Sequence, residues 1–285
     1  MKIGVFEFVS DTAMDPAVLA KRAEELGFHS FWVPEHSIIP VHTSSKPFRG
    51  PSDGRVPEHY AHIADPFVAL ARASAATSTI KLGTGVCLVP EHHPVRLAKV
   101  VATLDHFSGG RFIFGIGAGW LKEETEIMGG DFPRRWTQTR DAVRAMKELW
   151  TKPEAEYHGT HYDFPPVRCF PKPAQKPHPP IFLGGSAKNV FKRVVEWGDG
   201  WMPSLPSPEE VEQGRATLND LAARAGRDPA SIEILAFGRP GQLGSREAIK
   251  DMERAGATMA TVWLDPAKGE DELHRMEAIA REVLS

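Results

Sequence analysis

Apolar positions along the chain follow two alternating rhythms. Short β-rich runs (Lys2 to Phe8, Phe28 to Val33, Ile80 to Val89, Arg111 to Ile116, Ile181 to Leu183, Gly200 to Met202, Ile232 to Phe237 and Ala257 to Leu264) predict eight strands. Between them lie stretches with helical spacing and clear start signals. Asp15-Pro16 precedes "AVLAKRAEEL", which Gly27 ends; Asp65-Pro66 precedes "FVALARASAAT"; Pro94 precedes "VRLAKVVATLDHF". Ser186 precedes "AKNVFKRVVEW", Ser207-Pro208 "EEVEQGRATLNDLAARAG" and Ser245 "REAIKDMERAG", and a last helix is expected from about Glu270 to Leu284. Eight βα units in 285 residues predict one α/β domain over residues 1–285, a (β/α)8 barrel rather than a doubly wound sheet, because the last unit can close on the first. Two connections exceed ordinary length: Ser37 to Ala64 after strand two, and Thr151 to Pro180, with eight prolines, before strand five. Both are expected to be ordered surface insertions.

Composition narrows the function classes. Hydrophobic residues at 41% and charged residues at 25% are ordinary for a globular chain, and a net charge of -3 supplies no excess cation for nucleic acid. Cys87 and Cys169 stand apart, without zinc or disulfide spacing. No segment approaches a membrane span, and "MKIGVFEFVSD" lacks the form of a signal peptide, so a cytoplasmic location is expected.

"RFIFGIGAGW", Arg111 to Trp120, carries Gly115-x-Gly117-x-Gly119. This is not the G-x-G-x-x-G of a dinucleotide site, and "RRWTQTRDAVRAMKELW" downstream has helical spacing where an acidic strand end is required. Two other strand ends are also glycine-rich, "LGTGV" and "LGGSA", and in a parallel barrel all three face one mouth. Glycine lets a planar ligand lie against the backbone, so the trio predicts a flat cofactor there.

The stretches "FHSFWVPEH", "DPFVALARASAATSTIKLGTGV", "HPVRLAKVVATLDHFSGGRFIFGIGAGWLKEE" and "PIFLGGSAKNVFKRVVEWGDGWMP" resemble the luciferase-like monooxygenases and their coenzyme F420-dependent oxidoreductase relatives. The resemblance covers most of the chain as far as Pro203. It implies a (β/α)8 barrel, a homodimer and a deazaflavin or flavin cofactor. It places the cofactor phosphate on Gly184, Gly185, Ser186, Ala187 and Lys188, where glycine clearance, a serine cap and a helix N-terminus coincide. An ordinary βα turn capped by Ser186 has the same pattern. It puts the ring against Thr84, Gly85 and Val86, with a cis peptide at Gly85–Val86, and beside Gly117, Ala118 and Gly119.

His36, closing strand two beside Glu35, is placed at the reactive edge, where an imidazole can exchange a proton near neutral pH. Its alternative is a strand-end residue bonded to the following loop. Trp120 stands where the sugar-phosphate dehydrogenase branch carries a catalytic glutamate, so that activity is in doubt and an indole packing on the ring or substrate is expected instead. Glu123 and Glu124 are read as first-turn helix charges. No metal is expected: His92 and His93 are adjacent and diverge, and His59 and His62 lack a carboxylate at a known spacing. Lys188, Lys192, Arg193, Arg134 and Arg135 can line the path of an anionic tail.

The expected activity is hydride transfer between F420 and a small organic substrate. The alternatives are an FMN-dependent monooxygenase and a member that binds cofactor without catalysis.

Overall fold

The computed structural model describes residues 1–46, 55–264 and 270–285. Residues 47–54 of the expected Ser37 to Ala64 insertion lie outside them. The strands are β1 (Lys2–Phe6), β2 (Ser30–Val33), β3 (Lys81–Thr84), β4 (Cys87–Leu88), β5 (Phe112–Gly117), β6 (Ala155–His158), β7 (Asp163–Val167), β8 (Ile181–Gly184), β9 (Gly200–Met202), β10 (Glu233–Phe237) and β11 (Met259–Trp263). The helices are α1 (Pro16–Leu26), α2 (Pro66–Ala76), α3 (Pro94–Phe107), α4 (Lys122–Ile127), α5 (Arg135–Thr151), α6 (Val190–Trp197), α7 (Pro208–Arg224), α8 (Arg246–Arg254) and α9 (Glu270–Val283).

Parallel pairing runs β1, β2, β3, β5, β8, β9, β10, β11 and back to β1, which closes an eight-stranded barrel ringed by helices. The third stave, expected over Ile80 to Val89 with a cis peptide at Gly85–Val86, is split at that bond. β3 stops at Thr84, the peptide Gly85–Val86 is cis, and β4 resumes by pairing Cys87 with Ile116 and Leu88 with Gly117. β6 and β7 form an antiparallel hairpin inside the proline-rich insertion. Asp141 of α5 tethers it, accepting from the Tyr157 hydroxyl at 2.6 Å and from the His161 N–H at 2.6 Å.

Strand alternation sorts the apolar residues into two layers. Ile3 and Val5 of β1, with Ile234 and Ala236 of β10, belong to the large core that also takes in the buried faces of the helices. Phe6, Trp32, Ile113, Phe182, Met202, Leu235, Phe237 and Met259 form a second cluster, the filling of the barrel.

Three of the strand-end glycines stand close to neighbouring side chains. A Cβ on Gly83 would lie 2.2 Å from the Trp32 ring, one on Gly117 2.7 Å from Val86, and one on Gly184 2.8 Å from Val86. Gly83 clears room for the buried Trp32, and Gly117 and Gly184 for Val86, which lines the mouth.

Candidate active site

The carboxyl ends of the staves open on a pocket of about 200 Å³. Its walls are largely aromatic, with Phe6, Phe8, Phe237 and Trp263 from the strand ends and Tyr60 from the insertion after β2. Phe6 and Phe237 meet edge to face at 4.6 Å, and Phe6 and Trp263 at 5.1 Å. None of these five was singled out in the sequence. Phe6, Phe237 and Trp263 sit on the inward phase of their strands, so the alternation carried the signal.

His36, Glu35, Gly85, Val86 and Trp120 all line this pocket, so five of the expected residues do come together. The Trp120 ring lies 5.8 Å from the His36 ring, edge to face, and the Tyr60 ring lies 5.2 Å away. The His36 partner, however, is Glu124. Nδ1 of His36 is 2.6 Å from Oε2 of Glu124, whose side chain is wholly buried. Glu124 does stand in the first turn of α4 as expected, but its side chain turns inward behind the mouth. Only Glu123 fits a surface role, bonding the Ser44 N–H at 2.6 Å, and the Ser44 bonds bring its carboxyl down to about 2.

The Glu35 carboxylate points away from His36. It accepts from the Leu88 N–H and lies 2.7 Å from Nε2 of His92. Burial works to raise its pKa, but the His92 and Leu88 bonds hold it below the usual range. Glu35, Cys87 and His92 bring donor atoms within 4.8 Å of one another. The carboxylate is already committed to hydrogen bonds, and burial with the Glu35 charge keeps the thiol well above its usual value, so the set has the chemistry of a hydrogen-bond cluster.

Thr84 is placed inside the sheet, its hydroxyl donating to the Gly115 carbonyl at 2.7 Å, and does not face the mouth. Gly117 and Ala118 are likewise buried behind the wall. Gly119, at φ 79, turns the chain so that Arg135 can donate to its carbonyl at 3.1 Å.

The Gly184 to Lys188 loop leaves β8 one side chain away, across Val86. Gly185, at φ 91, faces open space, and its carbonyl accepts from the Trp201 indole at 2.8 Å. Ser186 does not cap α6. The helix opens at Val190 with Asn189 at the cap position and no side-chain cap bond, because the left-handed Gly185 carries the chain into a turn over residues 187–190 first. Ala187 and Lys188 therefore precede the helix. Ser186 lines a separate pocket of about 250 Å³ beside Phe191, Trp201 and Gly214. Arg193 stacks over the Trp136 ring at 4.3 Å, and its Nη1 is buried with no hydrogen-bond partner among the described residues. Burial, with Arg135 and Arg140 nearby, lowers its pKa.

Residues 11–283 match the family model of the luciferase-like monooxygenases, so the chain belongs to that family. Among its relatives is an uncharacterized protein of Mycobacterium tuberculosis, 42% identical over 232 residues that cover 80% of each chain. An FMNH2-dependent dimethylsulfone monooxygenase of Pseudomonas putida is 32% identical over 166 residues, 56% of this chain and 44% of that one. In structure the chain resembles the coenzyme F420-dependent tetrahydromethanopterin reductase of Methanopyrus kandleri, with a TM-score of 0.76, 20% identity and 99% and 98% of the two chains covered. The names of these similar proteins include both an FMNH2-dependent and an F420-dependent enzyme. Among the described residues no helix is long and apolar enough to cross a membrane.

Proposed function

We propose that the protein is a coenzyme F420-dependent oxidoreductase acting on a small organic substrate. When bound, the deazaflavin would supply hydride transfer, and the barrel supplies position and protons. The observation that carries this reading is the cationic ground beside the Gly184 to Lys188 loop. Arg193, with an unpartnered Nη1, stands within electrostatic reach of Arg135 and Arg140, and Lys188 and Lys192 are exposed close by. Mutually repelling cations with no carboxylate partner among the described residues suit a multivalent anion. F420 extends beyond its phosphate into a lactyl-glutamyl tail bearing several carboxylates, whereas FMN ends at the phosphate. Arg134 contributes little, since it is bound to Asp131 at 2.6 Å.

The aromatic pocket excludes water from the reacting edge, Trp120 and Tyr60 hold the His36 ring from two sides, and Glu124 orients it. With Nδ1 committed to Glu124, Nε2 is the ring nitrogen left to exchange a proton at the mouth.

Each exposed pair contributes about 0.2 to 1 kcal/mol, so several acting on one tail shift affinity by more than about tenfold. F420 affinity is expected to weaken with salt more steeply than FMN affinity, because screening acts on every tail charge. Equal salt slopes, or tighter FMN binding at low salt, favour the second reading, an FMN-dependent monooxygenase, which the likeness to the Pseudomonas enzyme supports.

A further inference from the structure

The end of the barrel opposite the mouth, where the strands begin, holds a larger cavity of about 370 Å³. Ile113, Phe182 and Met259, at the amino ends of β5, β8 and β11, give it an apolar roof. Its walls carry Lys2 and Lys81, the first residues of β1 and β3, Lys176 of the proline-rich insertion, and His29 just before β2. Two carboxylates also line it, and both are engaged. Glu233 is paired with Lys2 at 3.1 Å, and Asp199 accepts from the Ile181 N–H at 2.9 Å with Arg227 3.9 Å away. Lys81 and Lys176 instead bond carbonyls, those of Gly110 at 3.0 Å and Pro173 at 2.9 Å, and have no carboxylate partner among the described residues. An ammonium has three donors, so each keeps two for a ligand. Nδ1 of His29 is buried with no hydrogen-bond partner among the described residues, which leaves Nε2 as the ring's contact atom.

The lysine-bearing wall is fixed from behind. Asp105, wholly buried on α3, accepts from the Gln175 N–H at 2.9 Å and from its side-chain amide at 2.6 Å, and that amide also donates to the Phe112 carbonyl at 2.7 Å. Gly110, whose carbonyl holds Lys81, lies against Gln175 so closely that an added Cβ would come within 3.1 Å of its side chain. Lys81 and Lys176 are thereby brought to one side of the cavity before any ligand arrives, which lowers the cost of ordering them.

We infer that this cavity is a second binding site, separate from the mouth, that takes a small phosphate monoester. Lysine meets phosphate as a point charge with rotatable donors, and the tetrahedral oxygens can accept from Lys81, Lys176 and His29 together. A phosphate alone leaves most of the 370 Å³ empty, and the roof of Ile113, Phe182 and Met259 suits an apolar organic body attached to it. The site stands whichever cofactor the mouth binds.

The test is titration of the full chain at low salt with phenyl phosphate, inorganic phosphate and phenol, followed by NMR on the His29 ring signals, which a His29→Gln variant assigns. His29 precedes β2 and His36 follows it, so these signals report the amino-end cavity and not a phosphate held at the mouth. Phenyl phosphate is expected to move them and to raise the His29 pKa, which burial and the Lys2 charge lower, because a dianion favours the imidazolium. Lys176→Gln, at an exposed position, and Lys81→Gln are each expected to weaken binding at least about fivefold with Tm within error. Phenol, lacking the charge, and inorganic phosphate, lacking the apolar body, should each bind at least about threefold more weakly than phenyl phosphate. Parent-like affinity in either folded variant, or His29 signals that no phosphate moves, overturns the site. Inorganic phosphate or phenol binding as tightly as phenyl phosphate overturns the monoester assignment.

Discussion

Glu24, in the last turn of α1, accepts from the N–H groups of Ser78, Thr79 and Ile80 at 2.8, 2.6 and 3.0 Å and from the Thr79 hydroxyl at 2.9 Å. Burial alone would raise this carboxyl from its ordinary 4.5, but the four donors outweigh it and bring it down to about 2. A carboxylate depressed in the folded state gives stability that is complete above its unfolded pKa and lost as pH falls through the folded one. Glu24→Gln is therefore expected to cost about 1 kcal/mol at neutral pH, after allowance for solvent screening. In denaturant titrations the gap to parent should close between about pH 4.5 and pH 2, and a gap independent of pH would refute the argument. Individual side chains were the hardest scale to read from sequence. In "LKEE" two adjacent glutamates look alike, yet Glu123 meets Ser44 and Glu124 meets His36, since a 100° step around α4 separates surface from interior. His36 and Gly85 were legible from their places at strand ends, whereas Val86 and Trp120 were legible only through resemblance.

At the scale of elements, the eight staves were legible because their apolar runs are short, β-rich and punctuated by proline and glycine. The β6–β7 hairpin was not, being polar and proline-bearing and held mainly by Asp141. The start of α6 was misplaced because a serine before a helical pattern reads as a cap wherever it stands, and only the left-handed Gly185 reveals the extra turn. Packing between staves also explains which glycines tolerate change. Trp32 is wholly buried, and its indole donates to Ser30 Oγ at 2.7 Å, so it cannot give way to a methyl group on Gly83. Gly83→Ala is expected to destabilise by about 1 to 3 kcal/mol. Gly244→Ala, whose added Cβ would find its nearest neighbour at 3.7 Å, should change stability by less than about 0.5 kcal/mol. Comparable losses of Tm in the two variants would show that the Trp32 contact does not govern tolerance.

The whole molecule is closed by the register between β1 and β11, from Lys2 opposite Met259 to Phe6 opposite Trp263. The alternation of elements predicted this closure, although nothing local in either strand announces its partner. Residues 1–256, which lack β11 and α9, should lose the cooperative unfolding transition and self-associate, seen by calorimetry and light scattering. A soluble monomer with the parent transition would mean that closure is dispensable. The same seam sets an order of events during synthesis. β1 is made first and acquires its second neighbour last, so one edge of the first strand waits, unpaired, for more than two hundred residues to be added. A nascent chain thus carries that open strand edge until β11 has been made. Slowed translation before β11, or a shortage of chaperones that shield such edges, should reduce the yield of folded protein.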